Sequence, residues 1–415
     1  MPHPIERCRV CGNSDLKSVL ALGDQSLTGL FPRSLDERIT RGPLELVKCD
    51  GQNVCGLVQL RHSYDLPELY GASYGYRSGL NESMVAHLRE KVARVRSYVA
   101  ELTADDLVLD IGSNDGTLLG FYPETVARAG MDPTATKFRE YYSPGIEVIA
   151  DFFSAAEFQR HFGERKAKII TSIAMFYDLE VPMAFVEQVA SILDDDGIWH
   201  FEQSYLPAML EANAYDTICH EHLEYYGLKQ IKWITDRCGL KIVDVELNDT
   251  NGGSFAVTVA KNGSRIAENG AAIERILGDE ARQELDTLRP YQKFRDRVFA
   301  HREKLLSTLE SLRGEGATVL GYGASTKGNV ILQFCGLTAA TIPCIAEVNP
   351  DKFGRFTPGT GIPIVSEAEA HALKPDYFLV MPWHFRENLI QRESVFLDRG
   401  GRMIFPLPEI EIVGR

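Results

Sequence analysis

Between residues 107 and 204 short apolar runs alternate with helix-period segments, and that alternation limits the fold more than any other feature of the 415-residue chain. LVLDI, a run closing in GMDP, VIADFF, KIITSIAMF and GIWHFEQSY read as strands, with TLLGFYPETVARA and VPMAFVEQVASILDDD as helices among them. Short apolar strands separated by helices predict a parallel sheet in a doubly wound α/β domain. LKIVDVELND and GGSFAVTVAK predict an antiparallel hairpin at its end, and VAHLREKVARVRSYVAELTADD a helix ahead of it. Residues 264–313 are charged and helix-periodic, a helical connection. After them ATVLGYGASTKGNVILQFC gives a strand, a glycine turn and a helix, and TIPCIAEV, YFLVMP and GRMIFPLP add strands to a second, smaller α/β unit.

A chain of this length exceeds one core, and its 44% hydrophobic and 25% charged residues are those of a soluble globular protein. It holds no apolar run of the roughly 20 residues that a membrane span needs. MPHPIERCRVCG lacks the apolar core of a signal peptide, so a cytoplasmic protein is expected. The net charge of −14 argues against non-specific nucleic-acid binding and against anionic membrane surfaces. It leaves room for a phosphorylated small molecule, for which a few local cations and backbone N–H groups suffice.

Four of the eight cysteines fall within the first 55 residues. Cys8-x-x-Cys11 has the spacing of a structural zinc site, and Cys49 and Cys55 supply a second, wider pair. Few apolar residues surround them, so a metal staple is expected to hold this segment. The alternative is a set of reduced buried cysteines. Further on, LYGASYGYRSGLNESM places Tyr70, Tyr74 and Tyr76 among small residues, as a packed loop or as a lid offering a phenol to a pocket.

Asp110-x-Gly112-x-Asn114-Asp115-Gly116 lies between a strand and a helix, where a glycine turn brings backbone N–H groups close to a ligand. It lacks the G-x-G-x-x-G of dinucleotide sites. An acid at the strand end suits S-adenosylmethionine better, since that ligand carries an ammonium and a sulfonium. Asp132, 22 residues on, is placed for ribose hydroxyls, and Asp151 with Phe152 for adenine. GYGASTKGN, with Glu347 near the end of the next strand, is a second glycine turn and supports a rival reading as an oxidoreductase using a nicotinamide cofactor.

YDTICHEHLEYYG gathers Cys219, His220, Glu221, His222, Tyr225 and Tyr226. It is not H-E-x-x-H, whose imidazoles share one helical face. The run is open to a metal, to proton chemistry in which Glu221 polarises an imidazole, or to a plain polar surface helix.

Together these pieces resemble the three-domain sugar C-methyltransferases that make branched deoxysugars. The resemblance rests on CRVCG with CGLVQL, VLDIGSNDGTLL, CHEHLEYYG followed by NGGS, GYGASTKGN and GRFTPGTGIPI, and covers nearly the full length. It implies a zinc-binding domain over 1–66, a Rossmann-like methyltransferase domain over 67–262, and a helical connection with a C-terminal Rossmann-like domain over 263–415. It further implies that a nucleotide-diphosphate keto sugar loses a proton beside its ketone and that the enolate takes the methyl group. His222 would be the base, Glu221 its neighbour and Tyr76 the active-site tyrosine; O-methylation of a nucleotide sugar is the variant reading. Cys219 stands where the family often has tyrosine. AMFYDLEVP stands where it often has a histidine, so Tyr177 or Asp178 would face the site. Asn251 and Gly253 of NGGS and Tyr322 of GYGAS are further substrate-side candidates. Lys327 and Arg355 would offset the diphosphate charge, or else are solvated residues of tight turns. His220 is expected to be an exposed spacer.

Overall fold

The computed structural model describes residues 2–69 and 77–414. Tyr70, Tyr74 and Tyr76 lie outside them.

Seven strands form the central sheet, in the order Leu240–Asn248, Ser254–Lys261, Leu193–Ser204, Ala167–Ile173, Leu107–Ile111, Ala127–Met131, Ile146–Ile149. The five from Leu193–Ser204 onward run parallel, and the first two join them as the expected antiparallel hairpin. Every residue of Leu107–Ile111 is buried, as a strand covered on both faces requires. From this strand the chain first winds outward through Ala127–Met131, then returns to Ala167–Ile173 on the other side. Strand order therefore reverses between Leu107–Ile111 and Ala167–Ile173, and the crevice beyond their carboxyl ends is where such sheets bind ligands.

Two expected helices come out differently. In place of a helix over TLLGFYPETVARA there is one short 3-10 turn, Leu119–Phe121, and Ala127–Met131 is already strand. Pro123 has no N–H to continue a helix, and residues before it are steered to extended backbone; Tyr122 has ψ 151. The helix Pro182–Ile192 stops before the acidic triplet, which belongs to the strand Leu193–Ser204.

The N-terminal sheet has the order Glu224–Tyr225, Val58–Leu60, Arg41–Cys49, Leu16–Ser26, all antiparallel. One of its four strands thus comes from the CHEHLEYYG region. The segment is less short of apolar residues than expected. Leu20, Leu22, Leu44, Leu46, Val58 and Leu60 are buried in one core with Tyr291, Phe294 and Val298 of the 26-residue helix Arg289–Gly314. Apolar residues at every second strand position supply that face, a period easily missed in short, turn-broken strands.

The C-terminal unit is a six-stranded sheet, Ile364–Ser366, Ile345–Glu347, Val319–Tyr322, Tyr377–Val380, Arg402–Phe405, Glu411–Val413, parallel except at the last strand. The helix Thr326–Cys335 follows its glycine turn, capped by Ser325, whose Oγ accepts the Gly328 N–H at 3.0 Å. No helix among the described residues is long and apolar enough to cross a membrane.

Candidate active site

A cavity of about 420 Å³ occupies the crevice at the reversal of strand order, and residues of the seven-stranded sheet meet Thr326 and Lys327 of the C-terminal unit in its walls.

One end is built by the glycine turn. Asp110 is buried at the end of its strand and accepts a hydrogen bond from Thr171 Oγ1 at 2.5 Å. Burial pushes its carboxyl up to about 7, with the Asp132 charge adding to the shift and Thr171 opposing it. A carboxylate this costly to ionise is ready for a cationic ligand. Asp132 is already held by the chain: Oδ2 accepts from Asn114 N at 2.8 Å, and Oδ1 from Thr134 N at 2.6 Å. Gly112 has φ +75, and a Cβ there would press on Met175. A Cβ at Gly116, also at φ +75, would run into the Tyr142 ring.

Asn114 and Asp115 line the same end, but their side chains receive the backbone of the preceding loop. Ser78 N donates to Asn114 Oδ1 at 2.9 Å, and Gly79 N to Asp115 Oδ2 at 2.8 Å. Phe152 lines the cavity, whereas Asp151 is exposed, accepts from Phe152 N at 2.7 Å and is not in the lining.

At the other end stand Tyr177, Asp178, Cys219, Glu221 and His222. The run carrying the last three is not a surface helix. It descends from the short turn Tyr215–Thr217, reverses where His222 N bonds to Cys219 O at 3.2 Å, and enters the strand Glu224–Tyr225. His222 packs on the Tyr177 ring, centroids 4.3 Å apart, and its Nδ1 lies 3.0 Å from the Thr217 carbonyl oxygen. A carbonyl only accepts, so Nδ1 carries the proton and Nε2 keeps the lone pair. Burial, then the Lys327 ammonium, pushes the imidazolium down to about 3, so the ring is neutral. Burial raises the Glu221 carboxyl, and Thr28 Oγ1 donates to its Oε2 at 3.4 Å. Cys219 is buried, and its thiol is driven well up by burial and then by Glu221 and Asp178. That holds it protonated and unreactive.

His220 is not the exposed spacer that was expected. It is fully buried, edge-on to Tyr64 with centroids 4.6 Å apart, and 3.5 Å from Thr28 Oγ1. The chain reversal turns it away from the cavity wall that His222 forms.

From the C-terminal unit, Lys327 Nζ donates to the Asn251 carbonyl at 2.9 Å, and both residues line the cavity. Gly253 does not; at φ +117 it faces Ala208, where a Cβ would clash. Tyr322 Oη lies 2.5 Å from Glu367 Oε1 and 2.9 Å from Glu393 Oε1 inside its own unit, away from the cavity. Arg355 donates to the Phe31 carbonyl at 3.2 Å and is likewise outside the lining. Glu347 closes its own turn, accepting from Ala324 N at 2.8 Å and from Asn349 N at 2.9 Å.

Sequence reasoning missed Glu202, which lines the cavity and holds His87 Nε2 at 2.6 Å, Lys91 at 2.8 Å and Asn248 Nδ2 at 2.8 Å. Despite burial, His87 and Lys91 bring its carboxyl down to about 2. An acid at the end of a buried strand, with His and Lys four apart on one helix, was the available signal.

Cys8, Cys11, Cys49 and Cys55 form one cluster, their sulfurs all within 4.8 Å of one another and 3.5 Å apart in the pairs Cys8–Cys55 and Cys11–Cys49. A zinc bonded to four sulfurs at about 2.3 Å sets them about 3.8 Å apart, so the cluster fits. Contact with Cys11 and Cys49, then burial, holds the Cys8 thiol well above its usual range, a conflict that a divalent cation removes.

Three family models match the chain: a zinc binding domain over residues 8–70, a methyltransferase domain over 84–245, and a C-methyltransferase C-terminal domain over 249–408. The chain is 32% identical over 416 residues to C-methyltransferase NovU of Streptomyces niveus, covering 99% of this chain and 97% of that one. Among solved structures, the plantazolicin methyltransferase BpumL in complex with SAH matches with a TM-score of 0.34 and 11% identity, over 42% of this chain and 82% of that one. The CcbJ methyltransferase from Streptomyces caelestis matches with a TM-score of 0.33 and 13% identity, over 42% of this chain and 94% of that one.

Proposed function

The chain belongs to the family of C-methyltransferases that includes NovU, and on that premise we propose that it methylates a carbon beside the ketone of a nucleotide-diphosphate keto sugar, with His222 as the base. It is an S-adenosylmethionine-dependent methyltransferase whose N-terminal cysteine cluster holds a structural zinc. The observation that carries the finer reading is the fixed tautomer of His222: a neutral ring at the cavity wall, its Nδ1 proton committed to the Thr217 carbonyl and its Nε2 lone pair available.

S-adenosylmethionine supplies an electrophilic methyl group on a sulfonium, which leaves as a neutral thioether. The residues do the rest. Nε2 of His222 takes the proton from the sugar carbon, the C–H electron pair becomes the enolate, and that carbon forms the new C–C bond as the C–S bond breaks. Glu221, the preceding residue in the same turn and part of the same cavity wall, supports the imidazolium that forms. Burial, and then the Lys327 ammonium, keeps the ring neutral before substrate arrives. A diphosphate bound against Lys327 offsets its charge and lifts the basicity of His222 once the substrate is in place. Asp110 and Asp132 hold the donor's charged and ribose groups, with Gly112, Asn114, Asp115 and Gly116 forming the turn beneath them and Phe152 the adenine side. Tyr177, Asp178, Asn251 and Cys219 complete the substrate side, and Tyr76 remains a candidate. The reading keeps the division at 1–66, 67–262 and 263–415, and the reducing cytoplasm as the compartment in which thiolates stay free for zinc.

The test is mass spectrometry of reactions with labelled methyl donor and a panel of keto-sugar nucleotides, beside non-keto controls. Label fixed on a carbon next to the ketone supports the reading; label on oxygen, or none with any keto sugar, overturns it.

A further inference from the structure

Arg9 lies inside the Cys8-x-x-Cys11 knuckle, yet its guanidinium leaves the metal cluster and reaches the active-site wall. We propose that Arg9 is a positioning residue for the segment bearing His222, so that the zinc knuckle and the proton-transfer wall form one mechanical unit. The proposal rests on the reading of His222 as base.

The side chain is 2% exposed. Its Nη1 donates to the Leu60 carbonyl at 2.6 Å, Nη2 to Ser63 Oγ at 2.8 Å, and Nε to Glu180 Oε2 at 3.3 Å. Ser63 Oγ donates to that same Glu180 oxygen at 2.8 Å, and Arg9 N donates to Gln59 Oε1 at 3.1 Å. A planar fork that satisfies several acceptors at once fixes their relative positions, which a flexible ammonium would not.

Those acceptors frame the catalytic wall from two sides. Gln59 and Leu60 belong to the strand that pairs with Glu224–Tyr225, and Leu60 N donates to the Leu223 carbonyl at 2.8 Å, one residue past His222. Glu180 lines the cavity and follows the turn Phe176–Asp178, which carries Tyr177 beneath the His222 ring. Leu223 N donates to the Tyr177 carbonyl at 2.8 Å and ties the two sides together. Arg9 Nε also lies 3.8 Å from buried Glu224, whose carboxyl burial drives well up against the opposing Arg9 charge. Two zinc ligands flank Arg9 within three residues, so the metal fixes the backbone from which the fork projects.

The test uses the zinc-loaded enzyme with Arg9→Met, in which the stem remains and the fork is gone. Nitrogen-15 NMR on histidine-labelled protein reads the His222 ring, its signal identified by loss in His222→Asn. The expected result is about one zinc per chain, S-adenosylmethionine affinity within about two-fold of the parent, a mixed His222 tautomer, and turnover down about tenfold or more. Arg9→Lys should restore little. An unchanged His222 signal with zinc retained overturns the proposal. A changed signal with full turnover keeps the positioning by Arg9 and removes His222 as the base. If Arg9→Met does not fold, Glu180→Gln cuts the same clamp at its cavity end, and an unchanged His222 signal there overturns the proposal equally.

Discussion

A methyl group added to Gly29 would overlap Oε1 of Glu221, so the N-terminal segment presses bare backbone against the carboxyl beside the proposed base. The contact is with the carboxylate tip of a half-buried side chain, which must swing aside to make room. Gly29→Ala should therefore displace Glu221, lower stability by about 1 kcal/mol, the low end of overpacking costs, and cut turnover more than donor affinity. Calorimetry and steady-state kinetics on the folded variant check this; unchanged turnover would show that the position of Glu221 is immaterial.

His222→Asn should bind both ligands nearly normally and lose methyl transfer. With an unreactive donor analogue bound, it should also stop solvent deuterium exchange at the sugar carbon, followed by NMR. His220→Asn acts differently: a ring fully buried against Tyr64 and Thr28 is lost, so stability falls while exchange in the folded fraction persists. Glu221→Gln should fall between the two. Exchange at the parent rate in His222→Asn would move the base to another residue.

Lys327→Met should raise the titration of His222 from its value of about 3, because after burial the Lys327 ammonium is what depresses it. The sign is fixed by charge: a cation nearby disfavours the imidazolium, and removing it makes protonation easier. The same variant should weaken sugar-nucleotide binding by about tenfold, the scale of one lost charge-assisted contact. A pH titration followed by NMR and a binding isotherm read the two effects separately.

Asp110→Asn should make the ligand-free protein more stable near neutral pH and spoil donor binding. The folded-state carboxyl is raised to about 7, above its unfolded value of about 3.9. The folded state therefore holds its proton longer, and parent stability is lost as pH rises from about 4 to 7. The difference between variant and parent should grow across that window, to at most roughly 4 kcal/mol, and vanish below it. Donor affinity should fall by roughly 2 kcal/mol or more. Denaturation at several pH values, with and without S-adenosylmethionine, is the measurement.

Elemental analysis of protein purified without chelator should find about one zinc per chain. Cys11→Ser should lower the metal content and the melting temperature together. Because Cys11 is one of four sulfurs in the cluster, a variant that keeps full zinc and full stability would assign the metal elsewhere.

The doubly wound core was legible because buried parallel strands advertise themselves residue by residue: all five positions of LVLDI are buried. The failed helix at TLLGFYPETVARA shows where pattern reading stops, since one proline outweighed an otherwise helical period. His222, Glu221 and Cys219 could be marked as chemistry-bearing from their type and crowding. Which histidine faces the cavity could not, because that depends on a reversal between Cys219 and His222 and not on spacing. Glu202 was hidden for a related reason. Its partners His87, Lys91 and Asn248 come from separate elements that only tertiary packing joins. Tyr322 and Arg355 sat in suggestive glycine turns, but Glu367 and Glu393 take the first and the Phe31 carbonyl the second, outside the cavity lining.

The pairing of Tyr225 with Val58 also orders events on the ribosome. At about 5–20 residues per second, the strand that finishes the N-terminal sheet is made some 8 to 30 s after the strands it joins. Until then the nascent zinc knuckle stands beside an open sheet edge, and the long helix that covers its apolar face comes later still. A fragment ending before residue 224 therefore keeps an unpaired, adhesive edge. The segment bearing His222 supplies the last strand of the first sheet, so no nascent chain can complete that sheet without also bringing His222 beside it.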